Sequence, residues 1–240
     1  MIDASVLLIT AASFLAAFVN AAFATGGIYI LLLGSVSVLP ISAAVPLQSA
    51  FACSSLIARV WMFWAHINWR IVRMFVLGCL FGVYFGTLTF VSIPENTIAI
   101  LLGIVLLVLT WSPTPQRSLP IKHPFFFVGI VHSFLGAIFG VGGVLQPLLL
   151  RTKALKMEIT GTLAGCMLAL DALKVTGYVG FGFSYFDYVP HIIGATLAGF
   201  PGSWLGKRVT HQISEAQFRA VFRALITLVA LRLIYKGLFP

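Results

Sequence analysis

Charge is what this chain has least of. Only 9% of its 240 residues are Asp, Glu, Lys or Arg, against roughly a quarter in a soluble domain. That excludes an ordinary water-facing globular surface. Acids are the scarcer half: six Asp and Glu stand against fifteen Lys and Arg, a formal charge of +9. Cysteine is nearly absent too. Cys53, Cys79 and Cys166 form no CxxC pair and sit in apolar stretches, so they read as small buried hydrophobes rather than metal ligands or disulfides. No GxSxG, HExxH or Walker-type sequence occurs, which leaves a membrane enzyme without support. The alternating ten-residue segments of an outer-membrane barrel are missing as well. Met1-Ile2-Asp3 lacks the basic start of a signal peptide, so the first helix is expected to stay in the mature chain.

What the chain has instead is hydrophobic length. Hydrophobic residues make up 60% of it and mean hydropathy is +1.05. Runs at 6–23, 71–91, 98–111 and 189–205 reach or approach the roughly 20 residues that cross a bilayer. A polytopic helical membrane protein follows. Its basic residues lie in short loops between the runs, so the net charge reports topology rather than nucleic-acid binding.

Two of the runs are broken in the same way. Ala24-Thr25-Gly26-Gly27 interrupts one, and Gly140-Val141-Gly142-Gly143 interrupts another 116 residues later. At that offset Phe23 matches Phe139, Leu32-Leu33 matches Leu148-Leu149, Leu47 matches Leu163, Trp69 matches Tyr185, Gly78 matches Gly194 and Gly86 matches Gly202. With four more residues in the second half, Ile93-x-Glu95 then matches Ile213-x-Glu215. The chain therefore divides into a first repeat (1–112), a Pro-rich linker (113–123) and a second repeat (124–240). Each repeat reads as a broken helix (4–39; 124–151) and three spans: 41–65, 70–92 and 95–112, then 158–181, 187–206 and 215–237.

Loop charges decide how the broken helices run. If each one crosses the membrane, the basic loops divide between both sides. If each is a re-entrant hairpin, Arg70, Arg73, Arg117, Lys122, Arg151, Lys153, Lys156, Lys207 and Arg208 all fall on one side, as Lys and Arg in cytoplasmic loops do. Three crossings per repeat is an odd number, so the two repeats are expected to be inverted, with both termini outside. That architecture serves alternating access, one repeat rocking against the other.

At each hairpin tip the helix from about Gly27 or Gly143 would present unpaired N–H groups and a positive dipole end at membrane depth. Inversion would bring the tips together near the midplane, where they suit a small oxyanion. Thr25, Gly26, Gly27, Gly142 and Gly143 are therefore candidate substrate-binding residues, with Gln48 and Gln146 as polar neighbours and Asn20 close by. Helix packing by small residues is the competing explanation for the glycines. Arg59 lies deep in the second span with no acid near it in sequence, and a guanidinium suits an oxyanion. Asp171 and Lys174 share one turn and are placed to neutralise each other or to couple an ion, and His132 near the second tip is a further coupling candidate. Arg219 can snorkel to the interface, and Trp61, Trp64, Trp69, Tyr185 and Tyr188 gather at span ends as anchors.

The runs Phe23-Ala24-Thr25-Gly26-Gly27 and Phe134-Leu135-Gly136-Ala137-Ile138-Phe139-Gly140-Val141-Gly142-Gly143 resemble the sulfite exporter TauE/SafE family of bacterial inner-membrane permeases. That family carries a GxGGG-like signature at both places. The loop His66-Ile67-Asn68-Trp69-Arg70, followed by Gly78, Gly82 and Gly86, is similar to its G-x-(V/I)-(D/N)-W turn. The resemblance implies export of sulfite, an organosulfonate or a related sulfur-containing anion, and it carries onto Gly26, Gly27, Gly142 and Gly143. Ala24-Thr25 and Val141 stand where the pattern has glycine.

The chain is thus expected to be a secondary transporter of a small anion, held in the bacterial inner membrane. Its partners would be that anion and the lipid bilayer, with no cofactor, metal or nucleic acid. A passive anion channel and a non-transporting assembly subunit are the competing readings.

Overall fold

In hydrocarbon a backbone can satisfy its N–H and C=O groups only within helices or a closed barrel, and every regular element among the described residues is helical. The computed structural model describes residues 3–23, 26–111, 123–149, 152, 154–209 and 215–239. Ten α-helices follow in order: α1 Ala4–Phe23, α2 Gly27–Val38, α3 Ile41–Met62, α4 Trp69–Ser92, α5 Glu95–Trp111, α6 Pro124–Phe139, α7 Leu145–Leu149, α8 Lys156–Gly180, α9 Val189–Val209 and α10 Glu215–Leu238. Among the described residues α1, α3, α4 and α8 are long and apolar enough to cross a bilayer. The linker expected at 113–123 lies outside the described residues except for His123.

Turn chemistry sets the boundaries. Leu39 precedes a proline and is extended, which ends α2. The Glu95 carboxylate at the start of α5 then accepts from the Ile41 N–H at 2.7 Å and from the Ser42 hydroxyl at 3.1 Å, capping α3. Gly140, at φ 73, ends α6 and donates its N–H to the Gly136 carbonyl.

The helices sort into two compact units that draw on both halves of the sequence. Unit 1 comprises Met1–Ser55, Ile93–Ser112 and Ser184–Pro240; unit 2 comprises Leu56–Ser92 and Pro113–Phe183. In unit 1, α1 packs chiefly along α9, α5 along α10, and α2 returns along α1. In unit 2, α4 packs along α6 and α8. Each unit thus pairs the outer arm of one half's broken helix with a span from the other half.

Small residues permit these pairings, as they do in membrane helices generally. A methyl group at Gly78, Gly82 or Gly86 of α4 would strike the carbonyls of Phe126, Ile130 and Phe134 on α6. On α9, Gly202 and Gly206 meet the carbonyls of Phe14 and Phe18 on α1 in the same way. Gly82 therefore corresponds in packing to Gly202 and Gly86 to Gly206, rather than to the partners an unbroken offset of 116 assigns. The four extra residues already separate the repeats here, because they fall within α8 and the turn after it, where Gly182 has φ 92.

Unit 2 has a continuous apolar core: Val60, Val72, Phe75, Cys79, Leu145, Cys166 and Leu170 are among its buried members. Leu145 and Leu149 pin the short α7 into it. Away from these contacts α4 turns Leu77, Phe81, Tyr84, Phe85 and Leu88 outward, and α9 turns Ile193, Leu197, Phe200 and Trp204 outward. Apolar surface on that scale suits lipid.

Candidate functional site

Each hairpin tip is built on a glycine that a side chain could not replace. At the first, Gly26 takes φ 96, and a methyl group on Gly27 would strike the Ala16 carbonyl and the Asn20 amide. Gly34 abuts Ala12 and Leu8, so α2 retraces α1 in the opposite direction. At the second, Gly143 takes φ 68, and a methyl group on Gly142 would lie on the His132 ring. Thr25 lies outside the described residues.

Three of the backbone donors at the tips are already occupied from within the protein. Gly27 N–H donates to Asn20 Oδ1 at 2.9 Å. Val144 and Leu145 N–H both donate to His132 Nδ1, each at 3.2 Å. An unpaired N–H in an apolar interior is costly, and in both places the preceding helix supplies the acceptor. Gly27 and Gly142 are also closely packed, against Ala16 and Asn20 and against the His132 ring. Gly26 and Gly27 are buried, whereas Gly143 is exposed, so only the second tip presents a glycine to its surroundings. Among the described residues the inner helix there, α7, begins at Leu145, two residues after Gly143.

His132 is thereby fixed in role. Nδ1 accepts, so the ring proton sits on Nε2 and the imidazole is neutral. A proton added at Nδ1 would remove the acceptor for two N–H groups. In this state His132 clamps the second tip through its ring nitrogen. Its ring also packs edge-on to Phe75, with centroids 5.7 Å apart.

The intramembrane charges gather in unit 2. Lys174 Nζ stands 3.8 Å from Asp171 Oδ1, with the two side chains 3% and 17% exposed. Arg59, near the end of α3 and 9% exposed, lies within electrostatic reach of Asp171. His132 lies within reach of Lys174. Arg59, Asp171, Lys174 and His132 thus form one neighbourhood, in the same unit as Gly142, Gly143 and the half-buried Gln146. Among its charged members are two cations and one carboxylate. Asp171 is the sole acid of the chain set inside a span, since Asp3, Glu95, Glu158, Asp187 and Glu215 mark helix ends and loops.

Gly26, Gly27 and Gln48 belong to unit 1. Gln48 is 1% exposed, and neither its amide oxygen nor its nitrogen has a hydrogen-bond partner. Buried hydroxyls of Ser13, Ser54 and Ser203, also in unit 1, are likewise unpartnered. Sequence reading named Gln48 but passed over the serines; their signal was polar residues in otherwise apolar spans. It also passed over Tyr178, fully buried on α8, whose hydroxyl donates to the Ala137 carbonyl and ties α8 to the end of α6. Arg223, by contrast, is exposed and stands over the Trp111 ring at 5.9 Å, an interfacial arrangement.

With this geometry in place, comparison with known proteins is informative on one point. The family model described as sulfite exporter TauE/SafE matches residues 9–233, and the chain belongs to that family. No curated protein and no solved structure matches it. Family membership implies a multi-pass membrane permease of sulfur-containing anions.

Proposed function

We propose that this TauE/SafE permease is a secondary transporter of sulfite or an organosulfonate in the bacterial inner membrane, and that the charged neighbourhood of unit 2 holds the substrate. The observation that carries this reading is the gathering of two buried cations, Arg59 and Lys174, about the carboxylate of Asp171. An uncompensated charge in an apolar interior costs several kcal/mol, and a small anion removes that cost. Arg59 supplies a planar donor fork suited to an oxyanion. Gly143 is the exposed backbone of the adjoining tip, and Gln146 a neighbouring polar group. In unit 1, Gln48 is proposed as a separate neutral group able to hydrogen-bond an anion, because both ends of its amide are unpartnered. Two inverted repeats with both termini outside remain our reading of the loop charges, and the exchanged pairings α1–α9 and α6–α4 support a duplicated origin.

The test is thermal stability of detergent-purified protein across sulfite, sulfate, thiosulfate, organosulfonates, carboxylates and simple cations. A ligand present at 100 times its dissociation constant stabilises the folded form by about 2.7 kcal/mol. Stabilisation by sulfur oxyanions alone, lost in Arg59→Ala, is the expected result. A flat response to every anion would sink the assignment.

A further inference from the structure

The charge count in unit 2 carries a second conclusion, which rests on the reading above. We propose that Asp171 makes this site sensitive to substrate valence: a monoanion enters alone, whereas a dianion enters together with one proton, taken up by the Asp171 carboxylate. With Arg59 and Lys174 cationic, Asp171 ionised and His132 neutral, the fixed charges of the neighbourhood sum to one positive charge. A sulfonate brings that sum to zero. A doubly charged oxyanion overshoots it and leaves one buried negative charge uncompensated, which is the expensive situation. One added proton restores the balance.

Asp171 is the group placed to take that proton. Arg59 and Lys174 both face the Asp171 carboxylate, which favours their charged forms before the substrate enters. His132 can gain one only at Nδ1, where it would release Val144 and Leu145 from the tip. The Asp171 side chain is less deeply buried than that of Lys174 beside it, at 17% against 3% exposed, so it is the more reachable. Among the described residues, the charged groups facing it include Lys174 on its own helix and Arg59 from α3. Of the elements packed on α8, α4 carries its only charges, Arg70 and Arg73, in its first turns, together with Cys79 and an exposed Tyr84. The turn before α4 brings an exposed His66, and α7 brings no titratable residue.

Two probes that do not titrate near neutrality separate the cases: methanesulfonate as the monoanion and sulfate as the dianion. Binding of each to the full-length protein in nanodiscs is followed by ligand-induced thermal shift over about three pH units. Sulfate affinity is expected to rise as pH falls, by up to tenfold per pH unit for one coupled proton, while methanesulfonate affinity changes little. In Asp171→Asn the sulfate slope should vanish, with sulfate bound at high pH at least as tightly as in the native protein. Equal slopes for the two anions, no sulfate binding at any pH where methanesulfonate binds, or a sulfate slope that survives in Asp171→Asn would each overturn the proposal. If Asp171→Asn does not fold, the two slopes in the native protein decide. Failure of the underlying site assignment looks different: neither anion binds, or both bind unchanged in Arg59→Ala, whatever the pH.

Discussion

The two hairpin tips solve one problem with different chemistry. Both must occupy the first N–H groups of an inner helix in an apolar setting, and both do so from the helix before. The first uses a neutral amide, Asn20, on a single donor. The second uses an imidazole, His132, on two donors at once. An amide keeps its acceptor at any pH of interest; an imidazole loses it on protonation. The second tip is also the one in the unit that holds Arg59, Asp171 and Lys174. A pair of motifs that look equivalent in sequence has thus diverged into a fixed closure and a closure open to chemical change.

The largest effect on this comparison should come from His132→Ala, which orphans two donors. Each unsatisfied buried N–H costs about 1–3 kcal/mol, so thermal unfolding should register a loss of about 3 kcal/mol in total. Gly27→Ala ranks next, at about 2 kcal/mol, because the new methyl group meets the Ala16 carbonyl, which is main chain and cannot swing aside. Asn20→Ala should be the mildest, at about 1 kcal/mol for one orphaned donor. If Asn20→Ala proves as damaging as His132→Ala, the contrast between the tips is broken. Should His132→Ala unfold with native stability, the clamp is not a clamp.

Much of the helical plan was legible in the residues. The six segments expected at 41–65, 70–92, 95–112, 158–181, 187–206 and 215–237 are helical, as α3, α4, α5, α8, α9 and α10 with ends a few residues different, and of these α3, α4 and α8 are long and apolar enough to cross a bilayer. Their boundaries are written locally: Pro40 and Pro94 precede starts, and Asn68 precedes α4, taking the Ile71 N–H on its side chain. Positions of the two breaks were equally plain, since glycine pairs stand out in apolar runs. The partnerships were not legible. Nothing near α1 in sequence announces α9, because that pairing depends on facing glycines and carbonyls far apart in the chain. The caps were half visible. Asn20 and His132 could be named as polar groups near the tips, but their roles depend on which way α2 and α7 fold back. Gathering of Arg59 with Asp171 could not be read either, as more than a hundred residues lie between them.

The division of the chain between the units bears on the order in which the protein can be made. Every segment of unit 2 has been synthesised once Phe183 emerges, with α9 and α10 still to come. Unit 1 has no such early completion, because α1 waits for α9 and α5 waits for α10. Domains generally fold as units during synthesis. The charged neighbourhood can therefore close over its apolar core while α1 is still without the neighbour its glycine-facing side requires. A helix made well before its partner is thus among the last to be packed.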